Sequence, residues 1–440
     1  MALTTQPLAW SFCDAPSPDR ELLGGKGAGL VEMTRLSLPV PPGFIVGTPC
    51  GRAYLAAGGP PAGCSEAVSA RMAELEAGAG RRFGDDAAPL LVSVRSGAPV
   101  SMPGMMDTVL NVGLTSAGAR ALSAETGDER FAFSCLERLL HEFATTVRKI
   151  PAAVVEDALL DLPAGVDVHS RCEALRALIE RQSGAPFPDA HGQLHEAIAA
   201  VFRSWNSRRA QAYRRHHGID DGLGTAVVVQ RMVFGNRGAD SGSGVCFTRD
   251  PATGAPGAYG DVLFNAQGED VVAGERDTLP LAALATHLPE AAAELDTVCR
   301  TLEADARDLC DIEFTIEQAR LWVLQTRIGQ RSARAAVRIA VALANEGVIT
   351  REEAVARVSE EQVTAACAPV FASEPGDPEA IVGRGLACSP GAVVGVAALT
   401  CEAAQRRAQA GETVVLVRPT TSPADLPGVL AAAAVVTARG

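Results

Sequence analysis

The stretch from Cys310 to Arg327 constrains this chain more than any other. Residues 311–316 (Asp-Ile-Glu-Phe-Thr-Ile) and 321–327 (Leu-Trp-Val-Leu-Gln-Thr-Arg) each alternate polar and apolar side chains with period two, the pattern of two half-buried strands. Asp311, Glu313 and Thr315 fall on one face of the first, and Val323, Gln325 and Arg327 share a face of the second. If the two form a hairpin, the parity of the loop decides which faces coincide. An odd loop sets Glu313 opposite Gln325 and Asp311 opposite Arg327, with Phe314 against Leu324 and Ile316 against Trp322. An even loop would bury half the charges, so the odd register is expected. Two carboxylates, an amide and a guanidinium then share one polar face. Mg²⁺ takes one or two carboxylates together with phosphate oxygens, and the planar fork of arginine fits a phosphate. A surface hairpin with a cross-strand salt bridge would read the same way, and this segment alone does not choose between them.

At 440 residues, the chain has room for two to four domains at roughly 150 residues each. Its 47% hydrophobic and 21% charged residues are those of a globular protein. A net charge of −13 argues against nucleic acid as a partner, so a bound polyphosphate would have to meet locally gathered cations. No apolar run is long enough to span a bilayer. The opening MALTTQPLAW lacks the basic and apolar regions of a secretion signal. Eleven scattered cysteines, none in C-x-x-C spacing, favour reduced buried thiols and a cytoplasmic protein over zinc or disulfides.

Other segments supply pieces of an anion site. Gly24-Gly25-Lys26-Gly27-Ala28-Gly29 precedes Leu30, Val31, Met33 and Leu36 at helical spacing. Small residues before a helix free backbone N–H groups for an anion, and Lys26 adds a point charge. The spacing is not that of a Walker A loop, and such a stretch is also simply a turn. Residues 40–46 read as a loop entering a short buried strand. Residues 90–95 read as another strand, ending in Arg95-Ser96-Gly97. The following segment, through Met102, Gly104 and Asp107, is too rich in Pro, Gly and Met for regular structure; its methionines either pack over a flat ring or fill core gaps. Residues 116–215 are helical by spacing, with Phe131, Cys135, Leu139 and Phe143 on one face, and the histidines in and beside this region show no metal-ligand spacing. Residues 226–233 and 245–248 flank ten residues with four glycines, including Gly242 and Gly244, and predict a hairpin whose tip amides close over phosphates. Glu269 and Asp270 place further acids after a strand at 261–264. Helices are expected over 331–365, and a Pro- and acid-rich linker over 369–378.

Taken in order, these motifs suit one polyphosphate held with Mg²⁺. Gly24-Gly25-Lys26-Gly27, Val94-Arg95-Ser96-Gly97 through Met102-Pro103-Gly104-Met105-Met106-Asp107-Thr108, Gly235-Asn236 through Thr248-Arg249-Asp250-Pro251, Asn265-Ala266-Gln267-Gly268-Glu269-Asp270, and Asp311-Ile312-Glu313-Phe314 through Gln325-Thr326-Arg327 together resemble the pyruvate, phosphate dikinase family over essentially the whole chain. The resemblance implies an α/β (α+β) fold: an ATP-grasp nucleotide-binding domain with a helical insertion, followed by a partial swivelling phosphohistidine domain. The corresponding divisions are an N-terminal lobe (1–115), the insertion (116–215), a C-terminal lobe (216–330), a helical linker (331–382) and the partial domain (383–440).

By motif, Lys26 and Arg95 would bind the triphosphate. Asp311 and Glu313 would be the metal ligands and, with Gln325, would order Mg²⁺ and nucleotide, while Arg327 steadies charge on the transferring group. Met102, Gly104, Asp107, Gly242, Gly244 and Glu269 would complete the ATP contacts. The family moves the β-phosphoryl of ATP to a histidine and the γ-phosphoryl to inorganic phosphate, then carries phosphate to pyruvate in a distant barrel. Gly383 to Ala392 and Arg418 to Asp425 resemble the opening of the phosphohistidine domain, and Val435 to Gly440 the strand before its Gly-Met-Thr-Ser-His motif. The sequence stops before that histidine, and no barrel follows. A truncated product, unable to run the full cycle alone, is therefore expected. The alternatives are a stand-alone nucleotide-sensing regulatory module and, last, a phosphotransferase to a small molecule. Oligomeric state is not legible.

Overall fold

The computed structural model describes residues 7–163, 165–272, 276–367, 381–383, 385, 391–422 and 425–438. The expected linker at 369–378, and the motif residues Arg384, Leu386, Ser389, Pro390, Pro423, Ala424, Arg439 and Gly440, lie outside these ranges. The chain divides into two compact units, Met1–Ser241 with Thr315–Thr326, and Gly242–Phe314 with Arg327–Gly440. Helices and sheets are mixed throughout, the class that the sequence predicts.

The first unit is built on an antiparallel sheet. Its strands are β1 (Ala9–Ser11), β2 (Gly43–Val46), β5 (Val92–Gly97), β6 (Thr108–Val112) and β7 (Ala226–Arg231), in the order β1-β2-β7-β5-β6. A short parallel pair, β3 (Arg82–Phe83) and β4 (Pro89–Leu90), precedes β5. The valine run of β7 lies at the centre, pairing with β2 through Phe44↔Val229 and with β5 through Val94↔Val229. Buried on both faces, such a strand needs no alternation. Three helices, α1 (Arg20–Arg35), α2 (Thr48–Ala57) and α3 (Cys64–Ala79), and then α4 (Ser116–Thr126), α5 (Glu129–Glu142), α6 (Ala152–Leu160), α7 (Val168–Ser183), α8 (Ala190–Ser204) and α9 (Arg208–His217), complete it. Phe131, Cys135, Leu139 and Phe143 are buried as their spacing requires and join Val227 and Val229 in one core. Asp128 caps α5 by accepting the Phe131 N–H at 2.8 Å.

The second unit holds β8 (Gly242–Arg249), β9 (Pro256–Phe264), β10 (Leu279–Pro280), and the helices α10 (Gly268–Val272), α11 (Ala283–His287) and α12 (Pro289–Ala306). The sheet runs β10-β9-β8-β11-β12, where β11 (Cys310–Glu317) and β12 (Arg320–Ile328) form the ribbon read first in the sequence. The unit boundary passes along this ribbon, with 315–326 belonging to the first unit. Helices α13 (Ala333–Asn345), α14 (Arg351–Ala356) and α15 (Glu360–Ala366) follow, with Ile339 and Leu343 buried against Leu309 and Ile349. The last segment is a parallel sheet, β13 (Val396–Ala398), β14 (Val414–Arg418) and β15 (Ala434–Thr437), connected through α16 (Cys401–Gln409) and α17 (Leu426–Ala431).

Two sequence expectations fail. The glycine-rich stretch is not a hairpin tip, because β7 and β8 belong to different sheets. Gly242 and Gly244 lie within β8, opposite Phe264 and Val262. A Cβ on Gly244 would stand 2.5 Å from the Phe314 ring and 2.6 Å from the Asp261 carbonyl oxygen, so this glycine admits a close crossing of side chain and backbone. The ribbon's loop is also even, not odd. Gln318 and Ala319 alone connect the strands, at φ 49° and 62°, the two left-handed residues of a type I′ turn. The two strands nevertheless bring the side chains of Asp311 and Arg327 together. Arg327 Nε donates to Asp311 Oδ2 at 2.6 Å, the pair that the odd register anticipated.

Candidate functional site

In the first unit, α1 brings the glycine-lysine turn onto the end of β5. The helix already begins at Arg20, capped by Asp19, and is broken at Gly24, whose φ of 70° and ψ of 164° are not helical. The break at Gly24 thus has helix on both sides, and the expected helix through Leu30, Val31 and Met33 follows it. The kink lets the chain touch β5: a Cβ on Gly24 would lie 1.6 Å from the Gly97 carbonyl oxygen. Gly25 N–H donates to Ala98 O at 2.8 Å, so one amide expected to face an anion is used inside the fold. Lys26, next in the chain, has its Cβ 3.7 Å from the position a Gly97 Cβ would take and is half-buried.

Arg95 sits two residues before Gly97 and is 9% exposed. Its guanidinium donates to Gln230 Oε1 at 3.3 Å and to Gln325 Oε1 at 3.4 Å. Gln230 in turn donates to Pro41 O at 2.9 Å. Two amide oxygens thus orient a buried guanidinium. Gln230 escaped the sequence reading. Its signal was present: a lone amide at the end of the run Val227-Val228-Val229 on a buried strand must find a partner. The tip of the ribbon is fixed within this unit by Ala319 N–H to Asp240 O at 2.8 Å and Val323 N–H to Pro39 O at 2.8 Å.

The segment between β5 and β6 is irregular, as its composition predicts. Met102 and Met105 are buried beside Trp205 and Ala210, whereas Gly104, at φ 70°, is exposed. Asp107 anchors the segment to the helices, accepting from Lys149 Nζ at 2.7 Å and from Arg209. Lys149 and Arg209 also escaped the sequence reading, since nothing local links them to a carboxylate 42 and 102 residues away.

In the second unit, Asp311 is 6% exposed and paired with Arg327. Burial pushes its carboxyl above the usual range, and the charge of Glu313 adds to this, against the pull of Arg327. Glu313 is partly exposed, two residues along the same strand. Glu269 is exposed in the first turn of α10. Among the described residues no three acidic, histidine or cysteine side chains converge on a metal position. A donor set of Asp311 and Glu313 therefore leaves most positions around an ion to phosphate and water, which is how Mg²⁺ is commonly held. Arg249, in the expected Thr-Arg-Asp-Pro motif, is structural: it is 3% exposed and clamps Glu303 of α12 and Glu346 beyond α13.

Residues 61–280 match the family described as pyruvate phosphate dikinase, AMP/ATP-binding domain. The chain is 44% identical over 456 aligned residues to the pyruvate, phosphate dikinase of Rhizobium meliloti (strain 1021), covering 97% of this chain and 50% of that protein. It is 45% identical to the chloroplastic pyruvate, phosphate dikinase 1 of Oryza sativa subsp. japonica, covering 96% and 46%, and 41% identical to that of Clostridium symbiosum, covering 98% and 51%. The chain spans about half the length of these curated relatives. With a family match over half its length and such identity across nearly all of it, the chain belongs to the pyruvate phosphate dikinase family and carries that family's AMP/ATP-binding domain.

Proposed function

We propose that this chain binds Mg-ATP and supplies the nucleotide half of the dikinase reaction, ATP + phosphate + pyruvate to AMP + diphosphate + phosphoenolpyruvate. The observation that carries the reading is the buried Arg95, oriented by the two amide oxygens of Gln230 and Gln325 beside the Lys26 turn. In the first unit, Lys26 and Arg95 bind phosphate oxygens, Gln325 fixes Arg95, and the segment holding Met102, Gly104 and Asp107 borders the nucleotide. In the second, Asp311 and Glu313 hold Mg²⁺, Arg327 steadies charge on the phosphoryl group, and Gly242, Gly244 and Glu269 contribute nucleotide contacts. When bound, Mg²⁺ neutralises phosphate charge. The chain's own contribution is to position the groups and to hold fixed cations where charge develops.

The divisions proposed are an ATP-grasp domain in two lobes (1–115 and 216–330) around a helical insertion (116–215), a linker (331–382) and part of a swivelling phosphohistidine domain (383–440). Inorganic phosphate is the proposed acceptor of the γ-phosphoryl, and pyruvate the proposed final phosphoryl acceptor of the whole dikinase reaction. No helix among the described residues is long and apolar enough to cross a membrane, and the ten described cysteines are free thiols, which suits the cytoplasm.

Calorimetric titration of the 440-residue chain with Mg-ATP tests the reading. Saturable binding is expected, weakened tenfold to a hundredfold by Arg95→Gln, as for the loss of a charge-assisted hydrogen bond worth about 1.5–3 kcal/mol. Arg327→Ala should weaken binding or turnover with an unchanged circular dichroism spectrum. Equal affinity in the parent and Arg95→Gln proteins would remove the central assignment.

A further inference from the structure

The far face of the first sheet carries a second cationic recess that the nucleotide reading does not use. Along β7 successive side chains point to opposite faces. Gln230 turns toward Arg95, so Arg231 turns the other way, to the side where Val227 and Val229 join the helical core. There Arg81, Arg231 and Arg237 line a small, solvent-open recess of about 60 Å³ with Glu125, Glu317 and an apolar wall that includes Leu90 and Leu122. Two of the three arginines are engaged. Arg81 makes a bidentate pair with Glu125 at 2.6 and 3.0 Å, and Arg237 lies 3.6 Å from Glu317, which also accepts the Phe234 N–H at 3.2 Å. Among the described residues the half-buried Arg231 side chain has no hydrogen bond and no ion pair within 4.0 Å. Its burial pulls the guanidinium below its ordinary pKa, although arginine stays charged at any physiological pH.

We propose that this recess is a binding site for a small tetrahedral oxyanion, of the phosphate or sulfate class, held by the Arg231 fork with Arg81 and Arg237 flanking it. Three guanidinium groups against two carboxylates leave one positive charge in the recess. A guanidinium taken partly out of water, with no hydrogen bond and only the longer-range charge of Glu317 to favour it, is costly, and a planar fork of N–H donors meets an oxyanion with two parallel hydrogen bonds. The apolar wall lowers the local dielectric and strengthens that contact. Because β7 separates the two faces, this site is distinct from the one built around Arg95. Glu317 ends β11, so an anion beside it would bear on the tip of the ribbon that also carries Gln325.

The test is a titration of the whole chain with inorganic phosphate, followed by ³¹P line broadening and calorimetry, in the parent, Arg231→Gln and Arg95→Gln proteins. Saturable binding is expected that Arg231→Gln reduces at least tenfold and Arg95→Gln retains. Arg231→Lys keeps the charge but loses the fork, so it should bind in between and remain folded if the glutamine variant does not. The proposal is overturned if the parent shows no saturable phosphate binding, if Arg231→Gln and Arg231→Lys bind as the parent does, or if all binding is lost with Arg95. Sulfate run in parallel separates recognition of any tetrahedral oxyanion, which supports the site, from binding that follows ionic strength alone, which refutes it.

Discussion

At the scale of single residues, the glycines around Lys26 are not interchangeable. Gly24 has a left-handed φ of 70°, and a Cβ there would be 1.6 Å from the Gly97 carbonyl oxygen. Both the backbone strain and the clash against main chain resist relaxation. Gly24→Ala is expected to cost about 3 kcal/mol or more, seen as a fall in urea midpoint at constant m value. Gly27 differs: its φ is helical, and a Cβ would meet only the Ile45 side chain, at 3.0–3.3 Å. There the helix propensity gained, about 1 kcal/mol, offsets the crowding, and Gly27→Ala should fall within about 1 kcal/mol of the parent. The sequence shows four glycines in a six-residue stretch but not which one bears a carbonyl against its α-carbon. That depends on β5, more than 70 residues further on. Lys26 and Arg95 were legible as charges beside small residues, whereas Gln230, Lys149 and Arg209 become visible only when distant segments meet.

At the scale of elements, period-two alternation identified β11 and β12 and even the Asp311–Arg327 pair, yet it mistook the loop. Alternation reports which faces of each strand agree, but the loop length depends on Gln318 and Ala319 taking left-handed dihedrals, which neither residue type announces. The supposed hairpin at 226–248 failed for a related reason. Glycines between two strand-like runs describe a flexible connection, whether it turns back on itself or crosses to another sheet. The I′ turn carries its own prediction. Ala319 sits at φ 62°, a conformation that costs an L-residue about 1–2 kcal/mol, whereas glycine adopts it freely but loses roughly 0.5–1 kcal/mol in unfolded-chain entropy. Ala319→Gly should therefore stabilise the chain by up to about 1 kcal/mol, read as a rise in melting temperature. A decrease would mean that the turn is not the type I′ that its dihedrals describe.

At the scale of the whole molecule, two groups of carboxylates respond to acid in opposite senses. Glu125 is held low by its hydrogen bonds from Arg81, and Glu346 by those from Arg249. Asp308 is also held low, through Arg331, although burial works against the shift. A depressed folded pKa contributes stability that is present above the unfolded value, near 4, and is lost as pH falls through the folded value. Glu317 and Glu196 are raised, chiefly by burial. Their ionised forms weaken the fold at neutral pH, and that penalty is relieved as pH falls through their raised values, before the first group begins to protonate. The net charge of −13 acts in the same direction, since mild acid reduces self-repulsion. Thermal melts in low-salt buffers from pH 8 to pH 3 should therefore peak on the mildly acidic side, near pH 5, and fall steeply below about pH 4. Glu317→Gln should flatten the rise between pH 7 and pH 5 and leave the acid limb in place, while Arg249→Ala, by freeing Glu346 and Glu303, should lower stability at neutral pH and make the acid limb shallower. A melting temperature that declines steadily from pH 7, with the same slope in parent and Glu317→Gln, would show that half-buried Glu317 does not oppose the fold.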